Sequence, residues 1–196
     1  QVSNRLPKAI AYATSRGYTD RISTALLAQQ LPPQFLYLAL QESEFDSSAC
    51  GPPTRYGIAK GMWQFIPTTA WQYGLRTGPL LELPRVDPRD ERHKVNPASA
   101  AAARYLRDIY NGEAQASGLL VLASYNWGHN AVKGLIRALP ENPRERNFWK
   151  FLAAYRSRIP KETYDYVFLI FSAAVIGESP SLFGFSFPKP LRDATQ

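Results

Sequence analysis

Apolar residues recur along this chain mostly at helical spacing. Leu6, Ala9, Ile10 and Ala13 mark a first amphipathic helix that Gly17 stops. Thr19 or Asp20 can cap a second helix, with Ile22, Ala25 and Leu26 facing inward. A third helix is predicted over 32–43, opened by Pro32 and Pro33 as suits a first turn. An irregular stretch rich in Gly and Pro covers 46–60, and 58–65 has room for a small hairpin. A short helix over 67–73 ends at Gly74, and 75–95 is a loop with little periodicity. Asn96 as N-cap and Pro97 in the first turn start another helix, with Ala103, Leu106, Ile109 and Tyr110 on its apolar face. Residues 119–123 are apolar all round, the pattern of a helix buried in mid-domain. Pro160 opens a last helix through Val167, Ile170, Phe171, Ala174 and Val175 to Gly177. Strand signals are sparse, so the pattern predicts a mainly α domain with one long loop following Glu42.

Glu42 stands out within that pattern. Phe35, Leu38, Ala39 and Glu42 fall at i, i+3, i+4 and i+7, one face of the third helix. That face should pack inward, and desolvation there favours the neutral acid and raises its pKa. A carboxyl protonated near neutral pH can give its proton to a leaving group. Taken alone, a capped or paired carboxylate at a frayed helix end is the commoner explanation, since structural ion pairs also perturb carboxylates.

At 196 residues the chain is long enough for one domain with a sizeable core, and 45% hydrophobic with 13% aromatic content fits a globular protein. The longest nearly apolar run, 167–176, is too short to span a bilayer. No secretory leader pattern precedes the first helix, although a leader removed in a mature form leaves no trace. The single Cys50 excludes an internal disulfide framework, and His93 and His129 without a cysteine pair argue against zinc. No metal and no cofactor are expected. A net charge of +7 favours anionic partners. The basic residues are scattered, acids interleave the dense stretches 85–94 and 144–146, and no nucleic-acid motif is present, so most of these charges read as solvated surface.

Three further segments carry candidate chemistry. In Gly61-Met62-Trp63-Gln64-Phe65, Gly lets backbone approach a ligand, Met and Trp offer apolar faces to a sugar ring, and Gln offers an amide. The same five residues also read as ordinary core. Ala123-Ser124-Tyr125-Asn126-Trp127-Gly128 closes the buried helix, and its Tyr and Asn must find partners or face a cleft. A C-cap built from Asn126 and Gly128 is the plainer reading. In Pro160-Lys161-Glu162-Thr163-Tyr164-Asp165-Tyr166-Val167, the helix dipole alone accounts for Glu162, and Tyr166 can be core. Tyr166 follows Glu162 by four residues, so both can face one way.

Jointly, the order and spacing of these segments say more. Gln41-Glu42-Ser43-Glu44-Phe45-Asp46, the run from Gly61 through Phe65, Ile66, Pro67, Thr68 and Thr69 to Tyr73-Gly74-Leu75, Ala100 through Arg104 to Leu106, and the two later motifs together resemble the lysozyme-like lytic transglycosylases of bacterial cell walls, the SLT family. The likeness is closest to the membrane-bound type D branch and covers about residues 30–178. It implies a lysozyme-like helical fold, with a long loop or small β-hairpin beside a glycan-binding cleft. It implies Glu42 as the single catalytic acid/base and Ser43, Gly61, Met62, Trp63 and Gln64 lining the cleft. Tyr125 and Asn126 would hold the acetamido group and neighbouring hydroxyls. Glu162 would contribute to binding, and Tyr166 would aim its hydroxyl at the reacting centre. The family's serine about nine residues after the acid is replaced by Gly51, in a stretch longer than usual, so either Thr54 takes its place or the role is absent. The chain is expected to divide into a helical extension over 1–31, a catalytic core over 32–178 that the resemblance covers, and a tail over 179–196 that packs on the core or leads to a further domain. The resemblance implies action on peptidoglycan glycan strands in the periplasm or cell envelope, and a monomer, no nucleic-acid partner and no membrane span in this chain are expected.

One acid suffices where the substrate supplies its own nucleophile, whereas ordinary glycosidases need two carboxylates. Glu44 lies about 200° around the helix from Glu42 at ~100° per residue; Asp46, at i+4, could share its face, but Asp46-Ser47-Ser48 also reads as a turn and is given a structural role. The expected reaction therefore closes a 1,6-anhydromuramoyl ring. A goose-type lysozyme using water is the nearest alternative, a non-catalytic cell-wall glycan-binding module the next, and a nucleic-acid binder a third.

Overall fold

The computed structural model describes residues 5–114, 117–142 and 144–191. Its backbone divides into two compact units, Gln1–Arg104 with Ala173–Gln196, and Tyr105–Ser172.

In the first unit, α1 (Arg5–Ser15) buries Ala9, Ile10 and Ala13, and α2 (Tyr18–Leu27) follows after a two-residue break. The left-handed Gly17, at φ 64°, turns the chain and takes the N-cap position, so Thr19 and Asp20 lie inside the first turn and do not cap it. A 3-10 turn at Pro33–Phe35 leads into α3 (Leu36–Ser43). All of Leu36, Tyr37, Leu38, Ala39 and Leu40 are buried, so α3 is enclosed on every side and is not one inward stripe. The fully buried Tyr37 donates its hydroxyl to Glu178 Oε1 at 2.7 Å. Gly177 makes room for it, because a Cβ there would lie 2.0 Å from the phenol oxygen. Burial first, and then Glu178, push the Tyr37 phenol well above its ordinary pKa.

A two-stranded antiparallel hairpin follows, β1 (Cys50–Thr54) on β2 (Gly57–Lys60), with Thr54 opposite Gly57. It occupies the stretch read as irregular; β2 enters the expected 58–65 through Ile58, Ala59 and Lys60, and an isolated Lys60–Phe65 bridge extends it. Pro52 and Pro53 hide the strand in the sequence. In a two-stranded sheet, however, β1 has an outer edge where a missing N–H costs nothing. Next comes α4 (Pro67–Gln72).

The loop over 75–95 is irregular, as expected, but its charges are not all at the surface. Asp87, Asp90 and Arg92 are buried. Arg92 pairs with Asp90 at 2.6 Å and donates Nη1 to the carbonyls of Ile58 (2.8 Å) and Phe65 (3.0 Å). Lys60, also fully buried, donates Nζ to the carbonyls of Leu80 (2.6 Å) and Arg85 (3.0 Å). Buried charge survives only when paired or fully hydrogen-bonded, and these groups staple the loop onto the hairpin. Gly61, at φ 77°, packs so tightly under Arg92 that a Cβ would lie 1.7 Å from the Arg92 carbonyl oxygen.

Helix α5 (Val95–Tyr110) starts one residue before the expected cap and runs from the first unit into the second. The second unit holds α6 (Gly118–Trp127), with Leu120 to Ser124 all buried. Two helices not assigned from the sequence follow, α7 (His129–Arg137), burying Val132, Leu135 and Ile136, and α8 (Phe148–Tyr155). Asn147 caps α8, accepting from Trp149 N at 3.0 Å and Lys150 N at 3.1 Å. Arg146 is buried beside that cap, against the expectation of solvated charge over 144–146. Helix α9 (Lys161–Glu178) begins after Pro160 and returns the chain to the first unit. Among the described residues, no helix is long and apolar enough to cross a membrane.

Candidate active site

Two groups of expected site residues are assembled locally, one in each unit. In the first, Glu42 is half-buried on the last turn of α3. The helix stops abruptly because Glu44 and Phe45 both take left-handed conformations, φ 55° and 65°. Neither nearby carboxylate is a free second acid. Glu44 is ion-paired with Arg5. Asp46 Oδ1 accepts from Ser48 N (2.8 Å) and Ser48 Oγ (2.6 Å), the turn expected from its sequence.

Ser43 donates its hydroxyl to the Met62 carbonyl at 2.8 Å, which joins the end of α3 to the 61–64 segment. The Met62 and Trp63 side chains do not offer apolar faces to a sugar. Both are fully buried, and Trp63 Nε1 donates to Ser99 Oγ at 3.1 Å. The backbone beside them is tied down, with the Gly61 N–H held by the Ala49 carbonyl at 2.8 Å. Gln64, at φ 47°, folds its amide back so that Nε2 donates to the Gly61 carbonyl at 2.7 Å. Its Oε1 faces Gly51, where an added Cβ would lie 3.3 Å away. Thr54 is committed elsewhere, since its hydroxyl donates to Gly57 O at 2.7 Å and accepts from Tyr56 N at 3.1 Å inside the hairpin turn. His93 Nδ1 lies 2.8 Å from the Ser47 carbonyl, holding the chain just beyond Glu42. Arg92 and His93 are supports that sequence reasoning missed, because a Pro-rich run of alternating charge carries no burial signal.

In the second unit, Tyr125 and Asn126 occupy the last turn of α6, which Gly128 ends at φ 97°. Tyr125 lies against Tyr105, ring centroids 5.2 Å apart, and burial pushes the Tyr105 phenol up to about 12. Asn126 Oδ1 accepts a 2.7 Å hydrogen bond from Thr163 Oγ1. Tyr166 is buried at 6% exposure, whereas Glu162 is exposed in the first turn of α9. Spacing suggested a shared face for these two. The helix end reaches solvent at Glu162, and the next turn is covered at Tyr166.

Comparison with known proteins identifies the family of the chain. The family model of the Transglycosylase SLT domain matches residues 20–155. Two relatives, both membrane-bound lytic murein transglycosylase D, come from Escherichia coli strain K12 and an Escherichia coli O6:H1 strain. Each is 26% identical over 171 residues, which is 87% of this chain and 34% of the relative. The chain thus spans about a third of the length of the curated relatives it matches. Because the matched span takes in α3, the hairpin, the 61–64 turn and the end of α6, the chain belongs to the SLT transglycosylase-domain family.

Proposed function

We propose that this chain is a peptidoglycan lytic transglycosylase. It would cleave the β-1,4 bond between N-acetylmuramic acid and N-acetylglucosamine, with Glu42 as acid and then base. The observation that carries the reading is the occupation of both neighbouring carboxylates at the end of α3, Glu44 by Arg5 and Asp46 by its own turn. A two-carboxylate hydrolase would need one of them as nucleophile or base. Membership of the SLT family supports the same chemistry.

The steps balance with one acid. Glu42 gives its proton to the bridging oxygen as the bond from C1 to that oxygen breaks. Positive charge at C1 is shared with the acetamido oxygen. The C6 hydroxyl of the muramic residue attacks C1, its proton goes to the Glu42 carboxylate, and the acid is restored. No water enters. Holding the C6 hydroxyl next to C1 supplies up to about 7–11 kcal/mol at the upper end of proximity effects. Peptidoglycan as substrate puts the protein in the cell envelope, in keeping with the "membrane-bound" name of its relatives. The catalytic core is assigned to 32–178, whose last residue anchors Tyr37 of α3.

Mass spectrometry of digested peptidoglycan tests the proposal. Muropeptides lighter by one water than lysozyme products are expected, with 1,6-anhydromuramoyl ends. Reducing ends alone would make the protein a goose-type hydrolase, and no soluble product would make it a binding module.

A further inference from the structure

We infer that Thr163 is a positioning residue for Asn126, setting which end of the Asn126 amide faces the substrate. The inference rests on the proposed role of Asn126 in holding the sugar's acetamido group.

Thr163 lies in the first turn of α9 and is 2% exposed. A threonine hydroxyl in a helix commonly donates to the carbonyl one turn back. This one donates instead to a side chain on another helix, Asn126 Oδ1 at 2.7 Å. A hydroxyl has one proton to give, and a buried hydroxyl without a partner is costly. Both helix ends are fixed by local chemistry, α6 by the positive φ of Gly128 and α9 by Pro160 just before its first residue. The two side chains are therefore delivered to each other by rigid elements.

Polarity follows from that bond. With Oδ1 occupied by Thr163, the amide turns Nδ2 and its two protons the other way. Asn126 then presents donors, and the atom it selects on a ligand is an acceptor oxygen, such as the carbonyl of an N-acetyl group. Without the Thr163 hydroxyl the amide can rotate by half a turn and present an acceptor that rejects that oxygen. For the N-acetyl group of a neighbouring sugar, whose oxygen takes no part at C1, the interaction is of the same kind before and during bond cleavage, so its loss should appear in KM more than in kcat.

The test uses the whole chain, soluble uncross-linked glycan strands and three variants. Thr163→Val keeps the shape and removes the hydroxyl. KM should rise roughly three- to tenfold, the scale of one neutral hydrogen bond, with kcat within about twofold and the fold retained by circular dichroism. Thr163→Ser should restore the wild-type KM. Asn126→Asp still accepts from Thr163 but offers no outward donor, and its KM should rise at least as much. Wild-type KM in Thr163→Val, failure of Thr163→Ser to rescue, or full function of Asn126→Asp would each overturn the inference. All of these leave the product analysis untouched, so the assignment of the reaction stands or falls separately.

Discussion

The Ser43 hydroxyl reaches 2.8 Å to the Met62 carbonyl, and this bond fastens the last residue of α3 to a buried turn. Its donor is used within the protein, and the bond holds in place the helix end that carries Glu42. Ser43→Ala leaves a carbonyl without its partner in a part-buried position, a loss of about 1–3 kcal/mol. The melting temperature should fall by about 2–12 °C, given the sensitivity of a chain this size. Turnover at 25 °C should fall as well, although the protein is still folded. An unchanged melting curve would show that the bond contributes nothing.

Glu42→Gln should abolish cleavage. The amide keeps the shape of the side chain but has no proton to give the bridging oxygen. Glycan binding, followed by co-sedimentation with purified cell-wall sacculi, should persist. Retention of more than a few per cent of turnover would remove Glu42 from the role of acid.

Tyr166→Phe separates catalysis from packing, because it preserves the buried ring. The proposed role near the reacting centre predicts a roughly ten- to thousandfold loss of turnover at a nearly unchanged melting temperature. Full activity with lowered stability would assign the residue to the core.

Acid should loosen the loop over 75–95. Hydrogen bonds from Arg76 bring Glu91 from its ordinary 4.5 down to about 2. The backbone N–H groups of Leu80 and Arg89 hold Asp87 below its usual range. For Asp90, burial pulls upward, but the Arg92 hydrogen bond and charge outweigh it and the carboxyl is also lowered. A folded pKa below the unfolded one stabilises the fold above the unfolded value, and that contribution disappears as pH falls through the folded value. For Glu91 the window runs from about 4.5 down to about 2. The amide resonances of Leu80 and Arg89, both bonded to Asp87, should titrate below the ordinary aspartate value. Titration at or above that value would contradict the arrangement.

Much of the helical frame was legible because its signals are local. Pro33, Pro97 and Pro160 lie at helix starts, and Gly74 and Gly128 follow helix ends, each for a steric reason that a sequence displays. The periodic residues Val132, Leu135 and Ile136 were present as well, yet α7 begins directly after Gly128, and a breaker so close hid a new helix. What stayed hidden depends on distant partners. Nothing local tells that Lys60 will be covered by carbonyls from 80 and 85, or that Arg92 and Asp90 will be enclosed together. The site divides in the same way. The half-burial of Glu42 follows from its helix, whereas five residues left open whether Met62 and Trp63 are core or cleft, and the Trp63 bond to Ser99 on α5 is a distant contact that the sequence does not display.

The Tyr37–Glu178 bond bears on where the protein can be shortened. The family match ends at residue 155, but a fragment cut there lacks the oxygen that accepts the Tyr37 proton and the glycine that leaves space for it. A phenol in the first turn of α3 would be stranded five residues before Glu42. Trimming for crystallisation or fusion should therefore keep every residue through Glu178, and the smallest self-sufficient version of this domain is longer than its family signature.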